Sequence, residues 1–135
     1  MSSPLSGSCQ CGEVRFEVEG EFEHFMLCHC KYCQKDTGSA HAANLLGTTA
    51  TLRWISGADH PVQYTIPGTR HTRAFCPTCG SALPSRQLDG SLLVVPAGSL
   101  DSAVDRAPDA HIFLASRADW DSEPERLPGH PTYPA

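Results

Sequence analysis

The chain has 135 residues and a mass of 14.5 kDa, the size of one ordinary domain. Its 40% apolar content supports a modest core and argues against wholesale disorder. Ten basic residues against fifteen acidic ones leave a net charge of −5, without the basic stripe of a nucleic-acid-binding domain, and no apolar run approaches the roughly 18–20 residues of a membrane span. The opening MSSPLSGS has neither the basic start nor the apolar stretch of a secretory signal. The expectation is a cytoplasmic protein with no membrane or nucleic-acid partner.

In chain order, the first element is a strand over 13–19 (EVRFEVE), where Val14, Phe16 and Val18 share one face and charges occupy the other. A strand over 25–28 follows, then a short helical turn around 31–36. Further strands are expected over 40–46, 51–55, 62–66, 71–75 and 91–95, with a last one over 111–116. Asp89-Gly90, between arms over 83–88 and 92–95, signals a hairpin turn. Eleven Gly and eleven Pro punctuate the chain into short pieces, and no sustained 3.6-residue stripe appears. Residues 1–119 are expected to form one mainly β domain with little helix, and 120–135, with four Pro and no apolar rhythm, an extended C-terminal tail.

The seven Cys carry the chemistry. An odd number in a chain without a secretory signal is a poor disulfide framework. They fall in three groups: Cys9 and Cys11; Cys28, Cys30 and Cys33; Cys76 and Cys79. Close pairs separated by long intervals are the way a small domain builds a metal site, and thiolates point to Zn²⁺. In Cys76-Pro77-Thr78-Cys79-Gly80, Pro77 fixes φ and Gly80 can take positive φ, which turns both sulfurs toward one point. Cys9 and Cys11, two apart in an extended segment, point to one side and can complete a four-thiolate set. That closed, structural site would tie the N-terminal segment to the middle of the chain across 64 intervening residues.

Cys28-His29-Cys30-Lys31-Tyr32-Cys33 offers three thiols within six residues. Three protein ligands leave one position of a tetrahedron open, as in catalytic zinc sites. Zn²⁺ with three thiolates sums to −1, which makes it a poor acidifier of water but suits it to holding an added thiol as thiolate. Sulfur chemistry is therefore favoured over hydrolysis. Three alternatives stay open. His29, His41 or His71 can close the site as Cys₃His, with His41 the best placed in sequence. Cys30 and Cys33 can form a redox pair, and Cys28 can be a simple core residue.

The stretches 7–12 (GSCQCG), 28–39 (CHCKYCQKDTGS), 75–81 (FCPTCGS), 98–101 (GSLD) and 111–120 (HIFLASRADW) together resemble the family of glutathione-dependent formaldehyde-activating enzymes and centromere protein V. The resemblance implies a β-tent fold of antiparallel sheets around a four-cysteine zinc site and two zinc sites in all. Cys9, Cys11, Cys76 and Cys79 correspond to the structural zinc, and Cys28, Cys30 and Cys33 to the second, labile one, associated with glutathione adduct chemistry. It further implies a carbon–sulfur lyase or adduct synthase joining or cleaving a thiol, such as glutathione as cosubstrate, and a small aldehyde such as formaldehyde. A non-catalytic zinc module that binds a thiol ligand or a protein partner is the alternative, followed by a zinc ribbon and a redox sensor. Glutathione carries two carboxylates, so Lys31, Lys35, Arg70 and Arg73 are candidate partners for it. Trp54 and Trp120 are candidate pocket walls or packing anchors, and His71 is a candidate proton carrier.

Overall fold

The structure, a computed structural model, describes residues 3–134. It is mainly β, with a single short α-helix among the described residues. β1 (Leu5–Ser8), β2 (Arg15–Glu19) and β5 (Thr51–Ser56) form an antiparallel sheet in the order β1-β2-β5. β3 (His24–Cys28), β4 (Ala42–Gly47), β9 (Ser85–Gln87), β10 (Leu92–Pro96) and β11 (Ala110–Ile112) form the largest sheet, ordered β11-β3-β4-β10-β9. β6 (Val62–Thr65), β7 (Thr72–Phe75) and β8 (Ala82–Leu83) form the third. All pairings are antiparallel except β11 on β3. No helix among the described residues is long and apolar enough to cross a membrane.

The period-two pattern over 13–19 has the expected consequence. Val14, Phe16 and Val18 are buried, while Arg15 and Glu19 face solvent. Phe16 meets Trp54 of β5 edge-on, with ring centroids 6.0 Å apart, so Trp54 is a packing residue and lies outside the cavity described below. Gly7, opposite Phe16 in β1, has no substitute here, since a Cβ would collide with the Phe16 ring and the Ser99 carbonyl.

The five-stranded sheet has two unlike faces. Phe25, Leu45, Leu93 and Val95 point into the main core, with Phe16, Val18 and Leu83. The alternate positions Met26, Cys28, Ala42, Leu46 and Val94 border a cavity instead. The register keeps these together, because Cys28 lies opposite Ala42, Met26 opposite Asn44, and Leu46 opposite Val94.

Several boundaries depart from the sequence pattern. The strand expected over 111–116 stops at Ile112, since Phe113 takes the left-handed conformation (φ 58°) and opens a 3-10 turn over Leu114–Ser116. β1 has no counterpart in the sequence pattern, and the hairpin arm expected over 83–88 divides at Pro84 into β8 and β9. The Asp89-Gly90 turn joins β9 to β10 through residues 88–91, with Leu88, Asp89 and Gly90 all at positive φ. Beyond residue 119, Asp121 is buried while residues 122–134 are exposed. Trp120 is 71% exposed and does not border the cavity described below.

Candidate metal centres and their cavity

The first thiol set assembles from two tight turns. Cys9 N–H donates to the Val14 carbonyl and Gly12 N–H to that of Cys9, which curls the segment after β1. Gly80, at φ 78°, closes the second turn by donating to the Cys76 carbonyl at 2.7 Å. Ser81 joins the two turns, its Oγ accepting from Gln10 N–H at 2.9 Å. The Sγ atoms of Cys9, Cys11, Cys76 and Cys79 consequently lie within 4.8 Å of one another. Zinc–sulfur bonds of about 2.3 Å imply tetrahedron edges of about 3.8 Å. The Cys9–Cys11 and Cys11–Cys76 sulfurs are 3.5 and 3.8 Å apart, so this donor set fits a tetrahedral soft metal ion.

Protons are unevenly shared in this set. The Ser81 hydroxyl, 3.2 Å from Cys79 Sγ, leads the hydrogen bonds that pull Cys79 down to about 5. Cys11 is pushed up to about 12: the Glu13 N–H works the other way but is outweighed by burial and by the neighbouring thiols. Cys9 is lowered, with burial opposing and the Val14 N–H and the thiols of Cys11 and Cys76 prevailing.

The second set is local. Cys28 ends β3, and Cys30 is the N-cap of α1 (Lys31–Thr37), its Sγ accepting from Cys33 N–H at 3.4 Å. Cys33 returns on the first helical turn, and Gly38 at φ 64° closes the helix. The three Sγ atoms lie within 4.8 Å of one another, and among the described residues no His, Asp or Glu joins all three. Cys28 is lowered to about 6, chiefly by hydrogen bonding to Cys33, while that same contact and burial raise Cys33. Three soft sulfur donors gathered this closely are a set that a thiophilic divalent cation would complete.

The histidines divide between the two sides of this turn. His29, next to Cys28 in sequence, points to the opposite side and is 1% exposed. Its Nε2 is 2.8 Å from His111 Nδ1, its Nδ1 is 3.5 Å from Asp121 Oδ2, and its ring packs 5.2 Å from that of His41. Burial first, then the neighbouring His41 and His111, lower its basicity. His41 belongs to this cluster behind the thiols and so does not close the three-thiol set. His71 lies on the thiol side. Its Nε2 is 2.6 Å from Asp36 Oδ2, its ring packs against Tyr32, and it forms with Cys33 and Asp36 a further group of candidate ligands within 4.8 Å. Asp36 was not singled out in the sequence. Its signal is the i+3 spacing from Cys33, which puts both on one face of α1.

Gln34 anchors the turn from behind, donating from Nε2 to the His29 carbonyl at 2.7 Å and to the Ser116 carbonyl at 2.9 Å. His29 N–H donates to the Ile112 carbonyl, and Asp109 Oδ2 accepts from Phe25 N–H at 2.8 Å. The segment 109–121 thereby braces the strand that ends in Cys28.

A cavity of about 580 Å³ opens beside the second set, lined by Cys28, Cys33, Asp36, His71 and Arg73 among others. Lys31, Lys35 and Arg70 do not border it, and Arg73, whose guanidinium lies 4.9 Å over the Phe75 ring, is the sole Lys or Arg among the described residues that does.

Comparison with known proteins shows the family. The family model described as glutathione-dependent formaldehyde-activating enzyme matches residues 4–116. A Halomonas elongata protein, named for glutathione-dependent formaldehyde activation, is 39% identical over 127 residues, covering 86% of this chain and 78% of its own. A crystal structure of a Rhodobacter sphaeroides protein superposes with a TM-score of 0.59 at 25% identity, covering 79% of this chain and 99% of the other.

Proposed function

The chain belongs to the family of glutathione-dependent formaldehyde-activating enzymes, and from that membership we propose that it adds a thiol to a small aldehyde, or reverses that addition, as a zinc-dependent carbon–sulfur lyase. The observation that carries the reading is the three-thiol set, which no His, Asp or Glu among the described residues joins, with Cys28 and Cys33 bordering a cavity large enough for a small molecule. Cys28, Cys30 and Cys33 would hold Zn²⁺, which when bound favours the thiolate form of an added thiol such as glutathione. Cys9, Cys11, Cys76 and Cys79 would hold a second, structural ion.

In the addition, the cosubstrate sulfur bonds to the carbonyl carbon, the carbon–oxygen π bond breaks, and the oxygen takes a proton. His71 is the lining group suited to deliver that proton. Asp36 engages its Nε2, which fixes the ring and leaves Nδ1 for proton exchange. Arg73 provides a cation for one carboxylate of the cosubstrate. The test is the rate of glutathione–formaldehyde adduct formation with the metal-loaded protein. Wild type should accelerate it, and Cys30→Ser, with an unchanged melting profile, should lose at least about 100-fold. An unchanged rate in folded Cys30→Ser would rule the mechanism out.

A further inference from the structure

Cys28, Cys33, Asp36 and His71 border the cavity, and the rest of its lining combines hydroxyl and amide side chains, among them Ser8, Gln10, Ser81 and Gln87, with apolar ones that the addition does not use. Met26, Leu46, Leu92, Val94 and Ile112 border it from the five-stranded sheet. Alternation puts Met26 on the same face as Cys28, and register brings Ile112 beside Cys28 and Val94 beside Leu46. Leu46 lies opposite His24, four residues from Cys28, so the apolar strip extends ~13 Å from the thiols along the strand direction. Asn44 is the one polar residue in its middle.

Neither formaldehyde nor glutathione accounts for this apolar strip. Formaldehyde has no chain to reach it. Glutathione has charged and amide groups, which suit Arg73 and the hydroxyl and amide side chains of the lining, such as Ser8, Gln10, Ser81 and Gln87, rather than the strip. An apolar strip continuous with a reactive centre is where the body of a substrate gains binding energy from leaving water. We infer that the carbonyl substrate of this protein is a medium-length aliphatic aldehyde, with its carbonyl carbon beside Cys28 and Cys33 and its chain along Met26, Leu46 and Val94. The inference rests on the thiol–aldehyde reading above and names its substrate class. The chemistry is unchanged: thiol S–H adds across C=O, a sulfur–carbon bond replaces the π bond, the proton ends on oxygen, and no oxidant or reductant takes part.

The test compares adduct formation from glutathione with formaldehyde, propanal and hexanal, using metal-loaded protein and subtracting the uncatalysed rates. Each buried methylene is worth roughly a factor of four, so hexanal should exceed propanal in catalysed rate by about tenfold or more at low aldehyde concentration. Leu46→Asn and Leu92→Asn, each checked for folding by its melting profile, should lower the hexanal-to-formaldehyde ratio about tenfold. A second readout is free of turnover: calorimetry should find S-hexylglutathione bound about tenfold or more tighter than S-methylglutathione. Acceleration with formaldehyde but none gained along the series, or equal affinity for the two thioethers, would overturn the inference and leave the thiol–aldehyde reading standing. Acceleration with no aldehyde would overturn both.

Discussion

Cys9 and Cys11 meet Cys76 and Cys79 across 64 intervening residues, whereas Cys28, Cys30 and Cys33 are gathered within six by a strand end and one helical turn. The first set draws on turns far apart in the chain, so ordering it requires the sheets between them to be in place. The second needs only β3 and α1, and its surroundings are specialised on both sides, with a cavity in front and, behind, the buried His29 and Asp121 in a network with His111. Four soft donors that satisfy one tetrahedral ion give a fold constraint, and three beside a cavity give a place for a further ligand.

The largest way to break this contrast is to remove the long-range closure. Cys76→Ser should cost folding free energy comparable to the whole stability of a domain this size, on the order of 5 kcal/mol or more. Circular dichroism should show a chain that is unfolded or melts far below wild type. A melting point within a few degrees of wild type would mean that the four-thiol set does not hold the fold.

The next effect falls on chemistry alone. His71→Gln should slow adduct formation by about 100-fold, and Asp36→Asn, which leaves the imidazole in place but ungripped, by about tenfold. Both should flatten the pH–rate profile, a readout that a purely structural role would leave alone.

Gln34→Ala tests the brace. It leaves the His29 and Ser116 carbonyls without their shared donor, at about 1–3 kcal/mol. Metal release to a chelator should quicken from the three-thiol set and not from the four-thiol set.

The smallest effect concerns pH. The Phe25 N–H first, then Arg106, hold Asp109 below its ordinary value of 3.8. A folded-state value below the unfolded one means that its contribution is present at neutral pH and is lost as pH falls through and below about 3.8. Asp109→Asn should therefore lower the melting point by a few degrees at pH 7, and the gap should close on acidification. A gap that widened in acid would contradict the assignment.

The sequence made some of this legible and left the rest hidden, for physical reasons. Alternation of Val14, Phe16 and Val18 exposed a strand because one face meets the core and the other water. The knuckle at Cys76–Cys79 was legible because Pro77 and Gly80 each have a backbone role of their own. β1 was not, since Leu5–Ser8 is short and polar and is held by pairing with β2 rather than by its own pattern. The backing of the second thiol set was also out of reach. His29, His111 and Asp121 are brought together only when β11 lays parallel against β3, a contact between segments more than 80 residues apart. His41 illustrates the same limit from the other direction, being near Cys33 in sequence but behind the turn in space.

The most direct test of a division between two metal centres is zinc per chain, measured on protein purified under reducing conditions without chelator, for wild type and Cys30→Ser. Two ions in wild type and one in a Cys30→Ser protein that melts as wild type does are the predicted result. One ion in both proteins, with the same melting profile, would contradict it and leave the three thiols without a metal.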